Sequence, residues 1–198
     1  MNRFFSDIPT KHLLKLSGES FIENGPNNYC NGLWNSISCE GARITRLYFW
    51  QLRVGNFRLH EVPPTLEYLW IYECNQAATF HTRNLPRALV SLCVSVNKRC
   101  GRLDLMTLPE NLENAQFWEN RFTGPICLCH LPKSLKNLDV HGNAINQVVV
   151  WYDHLPPEII EIRLQNNGQH KIGKVCALHP GEAVDPTIFA GMRRSAIE

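Results

Sequence analysis

The sequence predicts an α/β repeat solenoid, with a curved parallel sheet on one face and short extended or irregular segments on the other. Two periodicities point to it. An apolar residue followed by proline recurs at Val62, Leu85, Leu108, Leu131 and Leu155, at intervals of 23, 23, 23 and 24 residues. Inside each interval the apolar residues keep one phase. They read Leu66, Leu89, Leu112, Leu135 and Ile159; then Leu69, Leu92, Ala115, Leu138 and Ile162; then Ile71, Val94, Phe117, Val140 and Leu164. A period of this length marks stacked supersecondary units. Composition agrees, since 198 residues with 44% hydrophobic and 19% charged side chains suit one folded domain or one continuous array.

Each unit has a physical rationale. Alternation in Leu-x-Leu turns both aliphatic side chains to one face of a short strand. Strands stacked at about 4.8 Å then share an apolar interior. A single unit would expose that face, so at about 1.5 to 3 kcal/mol per buried aliphatic side chain the units hold only as a stack. The next position in phase reads Cys74, Asn97, Asn120, Asn143 and Asn167. An amide side chain there can satisfy backbone groups that a buried turn would orphan; a thiol does so only weakly. The pattern L-x-x-L-x-L-x-x-N/C resembles the leucine-rich repeat, and the resemblance implies a leucine-rich repeat solenoid. A degenerate sixth copy, ITRLYFWQL from Ile44, has Leu47 and Phe49 in phase and Leu52 where Asn would stand. The repeats thus cover 44–167, one degenerate and five clear.

The other half of each unit carries convex-side pairs that should point inward: Phe57 and Leu59, Phe80 and Thr82, Leu103 and Leu105, Ile126 and Leu128, Val148 and Val150. Units of this length leave no room for a full helix, and the proline after each anchor suits an extended turn.

The ends depart from the pattern, as the open ends of a stack require. Residues 1–43 read as an N-terminal cap, with Leu13, Leu14, Leu16, Phe21 and Ile22 on a short helix that Thr10 could cap. The run Cys30-Asn-Gly-Leu-Trp34-Asn-Ser-Ile37-Ser-Cys39 resembles the plant-type N-terminal cap of leucine-rich repeat proteins, with Ser36 in place of that family's Gly. The resemblance implies a disulfide between Cys30 and Cys39, with Cα atoms about 4.4 to 6.8 Å apart. No second bridge is expected, because the phases of the other six cysteines put several on different faces. Residues 168–198 read as a C-terminal cap: Asp185 as N-cap, Pro186 at the first helical position, and Thr187, Ile188, Phe189 and Met192 on a short helix. Arg193 and Arg194 then favour its C-terminal dipole end. The whole chain is similar to short leucine-rich repeat proteins of kinetoplastid protists, a group that implies no defined activity.

Several function classes fall away. A net charge of +2 leaves no bulk footprint for nucleic acid or acidic lipid. No apolar run approaches the roughly 20 residues that span a bilayer. The start lacks a continuous apolar leader and the chain lacks an Asn-X-Ser/Thr sequon, which favours an intracellular place; oxidised Cys30 and Cys39 would instead indicate a secreted or surface one. Nucleophile-elbow, P-loop, dinucleotide and His-Glu-x-x-His motifs are absent, so neither an enzyme nor a cofactor is expected. The best grouping for a metal or a nucleophile is Cys127-Leu-Cys129-His130. Its phase turns Cys127 and Cys129 outward beside the inward Ile126 and Leu128, so no metal site is expected, and Cys74 reads as core.

The informative residues are those that alternation turns away from the core, onto the concave face. Of these eighteen positions, three in each of six rows (one before, one between and one after the two Leu columns), six are Tyr or Trp: Tyr48, Trp50, Tyr68, Trp70, Tyr72 and Trp118. The chain has only ten such residues in 198. Strand preference and stacking across rows are the plainer account. They do not explain why the aromatics leave the apolar side for the wet one, where an exposed aromatic patch marks a binding surface. Ser91, Cys93 and Ser95 form a row of small residues between aromatic rows, which predicts a slot roughly 10 Å across. His141 and Arg163 add polar character at the C-terminal end. The expected function is non-enzymatic binding of a protein or peptide through Tyr48, Trp50, Tyr68, Trp70, Tyr72, Ser95, Trp118, His141 and Arg163. A structural or RNA-contacting subunit of a large assembly is the alternative, with Arg46 and Arg163 too few to track phosphates.

Overall fold

The structure is a computed structural model and describes residues 1–17, 29–30, 32, 34–165, 171–179, 181 and 184–198. In chain order its principal elements are α1 (Thr10–Ser17), β1 (Ile37–Glu40), β2 (Arg43–Trp50), β3 (Tyr68–Tyr72), β4 (Ser91–Cys93), β5 (Cys100–Arg102), β6 (Asn114–Gln116), β7 (Arg121–Thr123), β8 (Leu128–Cys129), β9 (Asn137–Asp139), β10 (Gln147–Asp153), β11 (Glu161–Arg163) and β12 (Ile172–Ala177). One strand per repeat builds the concave sheet, in the order β1-β2-β3-β4-β6-β9-β11. All its pairs are parallel except β1 with β2.

The register is the one the repeat demands. Leu47, Leu69, Leu92, Ala115, Leu138 and Ile162 pair in line from strand to strand, and all six are buried. Behind them run Phe49, Ile71, Val94, Phe117, Val140 and Leu164, also buried. Phe80, Phe117 and Phe122 fill the middle of the stack edge to face, with centroids 5.7 to 6.0 Å apart.

After each strand the chain must leave the sheet through a buried turn, and two devices recur there. The residue following the last concave side chain is left-handed: Gln51, Glu73, Val96 and Glu119 have φ between 49° and 54°, and Gly142 has 67°. The ladder residue then satisfies the turn. Asn120 Oδ1 accepts from the Arg99 amide at 3.0 Å, while Nδ2 donates to the carbonyls of Val94, Phe117 and Trp118. Asn97 and Asn143 repeat the arrangement one turn before and after. Cys74 occupies the same place as a buried thiol, with Sγ 3.5 and 3.2 Å from the Phe49 and Tyr72 carbonyls. Asn167 lies outside the described residues.

The convex side is built from 3₁₀ turns at Leu59–Glu61, Thr82–Asn84 and Leu105–Thr107, and further on from the sheet β8-β10-β12. The inward pairs are buried as expected in four turns, but the fifth differs. Val148 is 81% exposed, and Val150 and Tyr152 point inward instead. Tyr152 pairs with Leu128, so the inward pair stands 24 residues after Ile126 and Leu128, with the extra residue of that unit falling before Val150, and not the 22 residues that Val148 and Val150 imply.

At the N-terminus Cys30 and Cys39 are disulfide-bonded, with Cα atoms 5.6 Å apart. The first turn is closed chiefly by Phe4, Phe5, Ile8 and Trp34: Phe4 stacks on Phe57 at 5.1 Å and Phe5 on Trp34 at 5.6 Å. The helix begins a residue earlier than a Thr10 cap implies, since Pro9 supplies the first helical carbonyl, to His12 and Leu13. Leu16 is buried; Phe21 and Ile22 lie outside the described residues. At the C-terminus Asp185 caps the Thr187 amide at 2.9 Å and Pro186 follows it, but the expected helix is a single 3₁₀ turn. Phe189 leaves it to bridge Ile162, and Ile197 bridges Val175. Burying Phe189 in the stack wins over helix continuation, and the segment makes a last, irregular turn of the solenoid.

Candidate partner-binding face

The concave strands present three columns of outward side chains, fixed by the strand register. The first begins with Arg46 over Tyr68, with the guanidinium carbon 4.3 Å from the ring centre. The second begins with Tyr48 stacked on Trp70 at 5.8 Å and 18°. The third runs Trp50, Tyr72, Ser95, Trp118, His141. Tyr48 and Trp50 are 52% and 56% exposed; Tyr68, Trp70, Tyr72, Trp118 and His141 are half-buried, and Arg163 is exposed.

The small-residue row does not form an open slot. Cys93 is buried and Ser95 is 0% exposed, because Tyr72 and Trp118 lean together across the intervening row until their centroids are 5.7 Å apart. Two strand spacings alone would hold them about 10 Å apart. Removing this apolar area from water is what draws the rings over Ser95. Burial also raises the Tyr72 phenol above its ordinary pKa, with the nearby Glu73 and Glu119 carboxylates adding to the shift.

The aromatic surface continues onto His141, whose ring lies parallel to Trp118 at 5.3 Å and 8°. Asp139, two residues back on the same face, lies 2.6 Å from His141 Nδ1. An ionised carboxylate only accepts, so Nδ1 carries the proton of that bond and the ring is held against Trp118. Beyond it Arg163 Nε pairs with Glu161 at 3.0 Å. Asn137 donates to Asn114 at 2.8 Å in the first column, and Gln51 donates to Glu73 at the rim at 2.8 Å. The two pairs at the C-terminal end follow one alternation rule, i to i+2 on one strand face; the rim pair joins left-handed residues of adjacent turns, a contact that hydrophobic phase does not signal.

Cys127 and Cys129 meet a different fate from the expected one. The structure joins them in a second disulfide, with Cα atoms 5.2 Å apart. Side chains two apart on a strand share a face, which brings the two sulfurs together. Cys129 is buried rather than outward. Among the described residues no group of three or more His, Cys, Asp or Glu side chains is placed to hold a metal ion, and no helix is long and apolar enough to cross a membrane.

No family model and no curated protein matches the chain. Eight chains of solved structures do. One, from the crystal structure of the BIR3–SERK2 complex of Arabidopsis thaliana, aligns with a TM-score of 0.55 at 19% identity, covering 79% of this chain and 84% of that one. The likeness is one of fold, and with the register and ladder above it makes this chain a leucine-rich repeat solenoid.

Proposed function

We propose that this leucine-rich repeat solenoid is a non-enzymatic binding module that docks a protein partner on its concave face. The carrying observation is the pair of aromatic groups on one face, Tyr48 with Trp70 and, in the next column, Tyr72 with Trp118 and His141. The rings within each group already contact one another, so little side-chain entropy is lost when a partner covers them. With Ser95 roofed over, the surface offers a broad contact rather than a slot for one inserted side chain. Tyr68, Trp70, Tyr72 and Trp118 form its centre, Tyr48 and Trp50 its exposed margin, and His141 and Arg163 its polar end, an arrangement of apolar core and polar rim common to interfaces. That the comparison structure is itself a complex of two proteins is in keeping with this reading. The similarity to short kinetoplastid repeat proteins rests on the sequence pattern and names no partner. The Cys30–Cys39 bridge supports an oxidising compartment and hence a secreted or surface partner.

Nucleic acid fits the face less well. Arg46 is committed to the Tyr68 ring and Arg163 to Glu161, which leaves no row of free cations for phosphates on this face among the described residues.

Affinity capture from the source organism with wild type and Trp118→Ala, followed by calorimetry on the captured partner, tests the proposal. Trp118→Ala should weaken binding by 2 kcal/mol or more, roughly thirtyfold, as aromatic hot spots do. Arg121→Ala, on β7, should bind as wild type. Equal affinity for Trp118→Ala and wild type, with loss in Arg121→Ala, would move the site off the concave face.

A further inference from the structure

Two residues after each ladder position, an inward side chain enters the middle of the stack: Val54, Gln76, Arg99, Phe122 and Ile145 in successive turns, all buried. Three are apolar, so the fold does not require a charge in this column. Arg99 nevertheless puts a guanidinium there, 1% exposed, the one charged side chain among the buried residues described. Among the described residues no carboxylate forms an ion pair with it. Among the described residues its hydrogen-bond acceptor is the neutral Gln76 Oε1, 3.2 Å from Nη2, and Nε is buried with no partner. The Phe80 ring lies 5.9 Å from the guanidinium carbon. Gln76 cannot supply more: its Oε1 already accepts from the Phe57 amide, and its Nε2 donates to Gly55 and Cys74 carbonyls.

Arg99 lines a convex-side cleft of about 210 Å³, with Arg58 and His81 in its wall. Asp7 lines it too, but both its oxygens are taken by Arg58, at 2.9 and 2.7 Å. The volume holds roughly seven waters at about 30 Å³ each, ample for a small oxyanion. A guanidinium fork matches carboxylate and phosphate oxygens. A buried charge without a partner is costly, whereas the same charge facing a ligand anion is not.

We propose that this convex cleft is a binding site for a small oxyanion, a carboxylate or a phosphate monoester, with Arg99 at its floor. Gln76 and Phe80 hold the guanidinium, and the His81 ring adds a nitrogen to the wall, where Arg58 is already committed to Asp7. The site is separate from the concave face and does not depend on the reading given above.

The full-length chain, labelled with nitrogen-15 in arginine, is titrated at constant ionic strength with inorganic phosphate, with acetate and with chloride alone, following the Arg99 Nε–H resonance and the thermal midpoint. The site requires a saturable shift of that resonance and a rise in midpoint with phosphate or acetate, and neither with chloride. Tighter phosphate assigns a phosphate monoester, and tighter acetate a carboxylate. Arg99→Leu, which restores the apolar column, should bind at least about tenfold more weakly by the midpoint titration. An Nε–H resonance indifferent to both anions overturns the proposal, as does an unchanged titration in Arg99→Leu. Should Arg99→Leu fail to fold, the wild-type resonance alone decides.

Discussion

Replacing Asn120 by Leu removes one rung of the ladder while keeping the side chain's size. The amide Oδ1 is the acceptor for the buried Arg99 amide at 3.0 Å, and Nδ2 serves three carbonyls at 2.9 to 3.3 Å. An orphaned buried donor costs about 1 to 3 kcal/mol, and the carbonyls, each with a second lone pair for another partner, add about 1. The expected loss is therefore about 2 to 4 kcal/mol. Urea unfolding followed by circular dichroism should show the midpoint fall with little change in slope. Hydrogen exchange should speed most at the Arg99 amide. Asn120→Cys should fall between wild type and Leu, since the chain's own Cys74 makes only weak thiol contacts at this position. A midpoint equal to wild type in Asn120→Leu, with unaltered protection at Arg99, would refute the ladder as a source of stability.

Three further outcomes follow from the same geometry. Cys74→Asn should stabilise the chain by about 1 kcal/mol, read as a higher thermal midpoint, because an amide replaces a thiol opposite the Phe49 and Tyr72 carbonyls. Leu138→Asp puts an unpaired carboxylate between Ala115 and Ile162, and calorimetry should show the sharp unfolding transition lost. The Arg58 guanidinium bonded to Asp7 holds that carboxyl below its ordinary pKa of 3.8. A folded-state pKa depressed in this way means stability present above the unfolded value and lost as pH falls below it and through the folded one. Asp7→Asn should flatten that part of the acid unfolding curve.

What the sequence carried well was whatever repeats. Leu69, Leu92 and Leu138 name one another's neighbours because each recurs at a fixed interval, and the ladder at Asn97, Asn120 and Asn143 is legible for the same reason. Single events were harder to read. One extra residue before Val150 moved Tyr152 into the core, and no hydrophobic count distinguishes that frame from its neighbour when Val148, Val149 and Val150 are all apolar. Phe4 and Phe5 close the first turn from outside the repeat, where phase gives no guide. Alternation correctly turned Tyr72 and Trp118 to one face, but it describes strands and not the lean of rings, so it left Ser95 open where the two aromatics cover it. The Asp185 cap was local chemistry and was legible; the pull of Phe189 onto Ile162 is tertiary and was not.

The ladder also has a direction. Asn97 reaches back to Ile71 and Cys74, Asn120 to Val94 and Arg99, and Asn143 to Phe117 and Phe122. Each of these three clasps joins a turn to the one before it in the chain, and the rest of its bonds stay within its own turn. Cutting turns from the C-terminal end therefore leaves the remaining clasps complete, whereas cutting from the N-terminal end strands a buried amide with half its partners gone. On a ribosome, where the earlier turn always exists first, each new coil finds its anchor already formed. The stack is in this sense a ratchet whose pawls point the way the chain is made.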